Sequence, residues 1–312
     1  MKITVNLTDN RPEPWIENLR AELPGADVGA WRSGDEPADH AVIWRPSQDF
    51  LDQQPRLRGL FNIGAGVDAL LGLRLPPQAR IVRLDDAGMS VQMAEYVCHA
   101  VIRHFREFDV YDAEAREGRW SFRKPRLRHQ FPVGIMGLGV LGARVARSVA
   151  GFEFPVLGWS RSPKQIEGIR CFAGEDGFDD FLSATRVLVC LLPLTQGTRG
   201  ILRRENLMKL HGGQPGGYLI NVARGAHLME DDLVPLLDSG QLAGATLDVF
   251  ETEPLPSVHP FWRHPGITIT PHASARTLRH ESVAQIAAKI RALEAGAAID
   301  SLPGVVQTDR GY

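Results

Sequence analysis

The chain has 312 residues, 44% of them apolar and 23% charged, with a net charge of −2. That composition is ordinary for a globular protein, and the length exceeds what one core organises, so two domains are expected. The near-neutral balance excludes a general pull toward nucleic acid or anionic membrane, and apolar runs such as "VLVCLLP" at 187–193 are strand-sized, too short to cross a bilayer.

One local run is basic: "RWSFRKPRLRH" carries Arg119, Arg123, Lys124, Arg126 and Arg128. Interleaved proline and the neutral whole make it a solvated loop rather than a nucleic-acid face. Cys98, Cys171 and Cys190 lie far apart and form no CxxC pair, and Cys98 and Cys190 sit within apolar patterns. Buried free thiols suit a reducing cytosol. The start "MKITVNLTDN" is too short and polar for a signal peptide. No metal site is expected.

The chain opens with "KITVNL", which alternates Ile3, Val5 and Leu7 on one face as a strand does. "EPWIENLRAEL" follows with Trp15, Ile16, Leu19 and Leu23 at helical spacing. "ADVGAW", "HAVIW", "LFNIG" and "IVRLD" are further strands. This β-α repeat predicts a parallel sheet with helices on both faces. After Gly88 the pattern changes. Ser90 is placed to cap one long helix whose stripe is Ala94, Val97, Cys98, Val101, Ile102, Phe105 and Phe108. Its length suits a bridge between lobes or pairing with another subunit. From Phe131 the rhythm resumes with strands at "PVGIM", "PVLGW", "IRCFA", "RVLVCLL", "GYLINV", "GATLDVF" and "ITIT". A final helix, "HESVAQIAAKIRALEAG", places Val283, Ile286, Ala287, Ile290 and Leu293 on one face, and Gly296 stops it.

Between "VGIM" and a helix lies Gly137-Leu138-Gly139-Val140-Leu141-Gly142. A lone GxGxxG is weak evidence, but strand, loop and helix in this order give it meaning. Gly137 permits the tight turn, Gly139 a close approach of pyrophosphate, and Gly142 close packing of helix on strand. The helix amino terminus then offers N–H groups and its positive dipole end to phosphates. The next strand of such a unit normally ends in an acid that binds the ribose of NAD. Here it ends in Ser160-Arg161-Ser162, with Lys164 nearby. A guanidinium and two hydroxyls suit a 2′-phosphate instead, so NADP(H) is expected over NAD(H).

Three strand ends carry reactive side chains: Arg224 after "GYLINVA", Glu253 after "GATLDVFET" and His272 after "ITITP". Each alone is more often structural. Together, downstream of a dinucleotide loop, they meet the needs of 2-oxo acid reduction. Arg224 can hold the substrate carboxylate in a fork. His272 as imidazolium can protonate the carbonyl oxygen near neutral pH, and Glu253 can orient the ring and favour its charged form. In "NIGAGVD", Ala65, Gly66 and Val67 form a turn that reads equally as a nest for the same carboxylate or as a plain tight turn.

"GLGVLG", "NVARG", "LDVFETEPLP" and "PHASA", in this order and spacing, resemble the D-isomer-specific 2-hydroxyacid dehydrogenases over nearly the whole chain. "GAGVD", "DAGMSVQMAEY", "GWSRSPK" and the ending "DRGY" are closer still to the glyoxylate/hydroxypyruvate reductase A branch of that family. The resemblance implies an α/β fold of two doubly wound parallel-sheet domains with an interdomain cleft. The flavodoxin-like substrate domain would comprise 1–98 and 276–312, and the Rossmann cofactor domain 99–275. It implies NADPH-dependent reduction of glyoxylate to glycolate and of hydroxypyruvate to D-glycerate, in a cytoplasmic homodimer held largely by the cofactor domain and its long helix. By the same resemblance Arg224, Glu253 and His272 bind carboxylate, orient the ring and transfer the proton. Leu192, Pro193, Ala223 and Asp248 join the glycine loop and Ser160–Ser162 as cofactor contacts, and Trp44 joins Ala65, Gly66 and Val67 as substrate contacts. Arg45, Met89 and Trp120 fall near the pocket or in an arm toward a neighbouring subunit.

The acid at 253 argues against the related formate dehydrogenases, whose corresponding residue is typically an amide. Two other readings compete. One is a nucleotide-sensing corepressor-like dimer, which the Ser-Arg-Ser strand end weakens. The other is a dehydrogenase for a larger 2-oxo acid such as phenylpyruvate, which pocket width alone would decide.

Overall fold

A computed structural model describes residues 1–8, 10–211 and 216–307. The ending DRGY lies outside them. In chain order the elements are β1 (Lys2–Leu7), α1 (Glu13–Glu22), β2 (Asp27–Ala30), β3 (His40–Trp44), α2 (Gln48–Asp52), β4 (Gly59–Asn62) and β5 (Arg80–Val82). Then come α3 (Met89–Arg106), α4 (Phe108–Arg116), β6 (Val133–Met136), α5 (Val140–Ala150), β7 (Val156–Ser160), β8 (Arg170–Ala173), α6 (Phe178–Ala184) and β9 (Val187–Cys190). The chain continues through α7 (Arg204–Leu207), β10 (Gly217–Asn221), α8 (Glu230–Asp238), β11 (Leu242–Leu247), β12 (Ile267–Ile269) and α9 (Arg279–Glu294).

Two compact units result, Met1–Met89 with Thr277–Tyr312, and Ser90–Arg276. The first contains a parallel sheet in the order β2-β1-β3-β4-β5, the flavodoxin-like arrangement. Its core gathers Ala41, Ile43, Phe50, Leu57, Leu60 and Ile81. Helix α9 returns to this unit from the far end of the chain. It buries Val283, Ile286, Ala287 and Ile290, and Arg279 and Arg291 bond Asn18 and Glu22 of α1. Burial decides this docking: each buried Ile contributes about 1.5–3 kcal/mol, whereas an exposed ion pair contributes about 0–1 kcal/mol.

The second unit contains a seven-stranded parallel sheet in the order β12-β11-β10-β9-β6-β7-β8. Numbered from β6, this is the doubly wound dinucleotide-binding order with one further edge strand. The order reverses between β6 and β9, which pair directly. Strands β6, β9 and β10 are buried at every position, so they read as continuous apolar runs rather than alternating ones.

The segment after Gly88 departs from expectation in three ways. Helix α3 begins at Met89, so Ser90 lies in its first turn rather than at its cap. The helix also ends at Arg106. Glu107 adopts the left-handed conformation (φ 56°) and Phe108 starts a separate helix, 40% exposed. The Glu107 carboxylate is held by Arg123 at 2.9 Å and Arg126 at 3.1 Å, which fixes the break. Finally, the apolar stripe needs no second subunit to cover it. Ala94, Val97, Cys98, Val101 and Phe105 pack with Val133, Ile135 and Val145 of the same unit. The expected boundary at 98/99 would cut this helix, whereas the compact units part at Met89/Ser90 and Arg276/Thr277.

The three cysteines are free thiols. Burial pushes Cys98 up to about 11 and Cys190 up to about 12, so both keep their protons. Among the described residues no helix is long and apolar enough to cross a membrane.

Candidate active site

Strands β10, β11 and β12 are neighbours, and Asn221, Leu247 and Ile269 stand level in their register. Arg224, Glu253 and His272 all lie a few residues beyond that row, at the carboxyl ends where such sheets bind ligands. Parallel pairing thus gathers three groups scattered over almost fifty positions of sequence.

The Arg224 loop is shaped by Asn221, whose side chain is fully buried. Its Oδ1 accepts from Ala223 N and its Nδ2 donates to the Arg224 carbonyl at 3.0 Å. The same carbonyl lies 3.1 Å from Nδ1 of buried His227, whose Nε2 lies 3.3 Å from the Pro193 carbonyl. Gly225 then passes against the strand-end loop of β11. A Cβ there would stand 1.8 Å from the Phe250 carbonyl carbon and 2.3 Å from Glu251 N. Only glycine permits that approach, which holds the Arg224 and Glu253 loops together. Neither Asn221 nor Gly225 stood out in the sequence, because their partners are a folded backbone rather than a motif.

His272 adopts the left-handed conformation (φ 52°), and its N–H bonds the Asp248 carbonyl at 2.8 Å. A non-glycine residue persists there only where its surroundings over-determine it. Nδ1 meets Glu253 Oε2 at 2.8 Å, while Glu253 Oε1 accepts from Phe250 N at 3.1 Å. Nε2 has no hydrogen-bond partner among the described residues, and the side chain is 44% exposed. Burial raises the Glu253 carboxyl's affinity for a proton. The His272 hydrogen bond, the Phe250 N–H and the charges of His272 and Arg224 outweigh it and hold the group below its ordinary range. The pair is thus a fixed carboxylate behind an imidazole whose other nitrogen is open.

At the sheet's switch point, Gly137 (φ 101°) turns beside β9, where a Cβ would meet the Leu191 carbonyl oxygen at 2.7 Å. A Cβ on Gly142 would collide with the Gly137 carbonyl oxygen. Around Gly139 the space is open, and no side chain caps α5. Val140, the first residue of α5, is 52% exposed, with Leu141 next. This loop leaves room and free helix-end N–H groups for a pyrophosphate, so the residues fit a dinucleotide. Strand β7 ends in Ser160, whose hydroxyl donates to the Ser162 carbonyl at 2.8 Å, and Arg161 and Ser162 are exposed. Leu192 and Pro193 follow β9 after Leu191. Ala223 and Asp248 are buried at 7% and 0% exposure. Both Asp248 carboxylate oxygens are engaged by Thr270 Oγ1, Ala273 N and Ser274 N.

In the first unit, the Asn62 side chain donates to the Gly64 and Gly66 carbonyls at 3.0 and 2.9 Å. Those carbonyls turn inward, and the N–H groups of Ala65, Gly66 and Val67 have no hydrogen-bond partner among the described residues. Trp44, at the end of β3, covers Gly64, where a Cβ would lie 2.5 Å from the indole. Arg45 lies over the Trp44 ring at 5.8 Å. Met89 is buried, whereas Trp120 is wholly exposed.

Sheet order and the glycine loop define a dinucleotide-binding α/β protein that carries an imidazole–carboxylate pair at its strand ends. Residues 98–274 match the family model described as D-isomer specific 2-hydroxyacid dehydrogenase, NAD binding domain. The chain is 48% identical over 307 residues to glyoxylate/hydroxypyruvate reductase A of Serratia proteamaculans, covering 96% of each. Against the same-named protein of Yersinia enterocolitica the identity is 45% over 305 residues, again 96% of each. Among solved structures, the NADPH-dependent glyoxylate/hydroxypyruvate reductase of Sinorhizobium meliloti, with NADP and sulfate, superposes at TM-score 0.92 with 36% identity, covering 100% of this chain and 99% of that one. The D-isomer specific 2-hydroxyacid dehydrogenase of Xanthobacter autotrophicus Py2, with NADPH and MES, gives TM-score 0.91 at 38% identity over 99% of each. The chain belongs to the D-isomer specific 2-hydroxyacid dehydrogenase family.

Proposed function

We propose that this protein reduces small 2-oxo acids, glyoxylate and hydroxypyruvate first, using NADPH. The observation that carries the reading is the 2.8 Å contact of His272 Nδ1 with Glu253, which leaves Nε2 open. The relatives' names and the NADP and NADPH complexes of two solved structures support it. The bound cofactor supplies the hydride. Arg224 holds the substrate carboxylate, and the N–H groups of Ala65, Gly66 and Val67 form a turn that suits an anion. His272 delivers a proton from Nε2 to the carbonyl oxygen as charge develops there, and Glu253 keeps the ring oriented for that transfer. In the oxidative direction neutral His272 takes the proton back. Loss of NADPH absorbance on mixing with glyoxylate or hydroxypyruvate tests the reading. Binding of NADPH without turnover of any short 2-oxo acid would favour a nucleotide sensor instead.

Two variants test the binding roles. Arg224→Lys replaces a planar fork by a point charge, so KM for glyoxylate is expected to rise about tenfold or more with a smaller change in kcat. A kcat loss at constant KM would count against carboxylate binding. Arg161→Ala removes the fixed charge proposed for the 2′-phosphate. The Kd for NADPH is expected to rise about tenfold or more while that for NADH changes little. Equal losses for both would remove the role.

The working form is proposed to be a homodimer. Trp120 and Phe122, 102% and 87% exposed, lie in a stretch without helix or strand and suit contact with a second copy. Sedimentation of the protein and of a Trp120→Ser/Phe122→Ser variant tests this. A monomeric parent, or a variant that dimerises equally well, would remove the assignment.

A further inference from the structure

The loop that carries His272 is held from outside the acid/base pair by helix α3. Tyr96 Oη lies 2.6 Å from Thr270 Oγ1, which lies 2.5 Å from Asp248 Oδ1. A carboxylate only accepts, and a threonine hydroxyl has one proton. Thr270 therefore donates to Asp248, and Tyr96 donates to Thr270. Burial pushes the Tyr96 phenol up to about 12, and the Asp248 charge adds to the shift, so the phenol retains the proton it donates. Asp248 in turn fixes the three residues after Pro271. Its carbonyl accepts from His272 N at 2.8 Å, Oδ1 from Ala273 N at 2.7 Å and Oδ2 from Ser274 N at 2.9 Å. One turn earlier on α3, Gln92 exchanges two hydrogen bonds with the backbone of Arg276, at 3.0 and 3.1 Å. Gln92 and Tyr96, four residues apart on one helix face, thus grip the loop on either side of His272.

We infer that Tyr96 is a positioning residue for His272, acting through Thr270 and Asp248. The left-handed backbone at His272 returns to an ordinary conformation unless Asp248 holds it, and Asp248 keeps its rotamer because Thr270 and Tyr96 complete its hydrogen bonds. The aim of the ring then depends on a phenol in another element that touches neither the ring nor Glu253. The inference rests on the proposed acid/base role of His272.

The test compares Tyr96→Phe, Thr270→Val, their double variant and Thr270→Ser. Circular dichroism and NADPH binding serve as controls for the fold. Tyr96→Phe and Thr270→Val are expected to lower kcat for glyoxylate about tenfold, with KM little changed and the pH profile of kcat displaced, since loss of aim acts on the proton-transfer step. The double variant should lose no more than Thr270→Val alone, and Thr270→Ser, which keeps the hydroxyl, should recover most of the activity. The His272 ring-proton NMR signal, identified by its loss in His272→Ala, should titrate with a displaced midpoint in Tyr96→Phe. Kinetics within about twofold of the parent and an unmoved ring titration in Tyr96→Phe would overturn the inference. If the parent reduces no 2-oxo acid, the functional reading fails, and the ring titration alone decides the relay.

Discussion

His272→Ala is expected to lower kcat for glyoxylate reduction by roughly 10²–10⁴-fold, the range for loss of a positioned general acid. NADPH should still bind, because the phosphate loop at Gly137–Gly142 stands on different strand ends from His272. The fold should survive as well. The side chain is 44% exposed, and its hydrogen-bond partner is Glu253 Oε2, a carboxylate that water can solvate once the ring is gone. The Cβ strain of the left-handed position is common to His and Ala, so the change in stability is that of one partly exposed hydrogen bond, on the order of 1 kcal/mol. Single-turnover kinetics with bound NADPH separate the chemical step from binding. Activity within a few-fold of the parent would take the proton transfer away from this residue. Glu253→Gln makes a useful companion, since an amide can still accept from the ring yet carries no charge.

The second large effect is expected at a residue with no chemistry of its own. Gly225→Ala places a methyl group 1.8 Å from the Phe250 carbonyl carbon and 2.0 Å from its oxygen. No side chain can rotate away to relieve a clash with backbone. The loops carrying Arg224 and Glu253 must therefore part. Overpacking of this kind costs about 1–3 kcal/mol of stability. An ångström of displacement between the proposed carboxylate clamp and the proposed acid costs about 10²-fold in rate. The expected result is a folded protein with a lower Tm and kcat/KM for glyoxylate reduced by about 10²-fold, measured by thermal unfolding and steady-state kinetics. Unchanged kinetics would mean that the two loops do not depend on this contact.

Much of the fold was legible because local patterns record it. Alternation in "KITVNL", continuous apolar runs such as "VLVC" and the glycines of "GLGVLG" each reflect the strand, the doubly covered sheet or the turn that contains them. Arg224, Glu253 and His272 stood out for the same reason, as polar groups directly after apolar strands. The stripe on α3 misled: its period reports that a face is buried, not what buries it, and the sheet of its own unit does so. The break at Glu107 was invisible because Arg123 and Arg126, whose contacts fix it, are sixteen and nineteen positions away.

The sequence by itself determined most of the strands and helices and the glycine turn between β6 and α5, and it singled out Arg224, Glu253 and His272 as candidates for anion binding and proton transfer. Those properties belong to residue types and their immediate neighbours. Only the tertiary structure decided that His272 stands in a left-handed backbone, that Gly225 presses on Phe250 and that Tyr96 reaches Asp248 through Thr270. Each of those depends on groups brought within hydrogen-bonding or van der Waals reach by parallel strand pairing and helix packing. Contacts over such sequence distances leave no periodic trace in the chain.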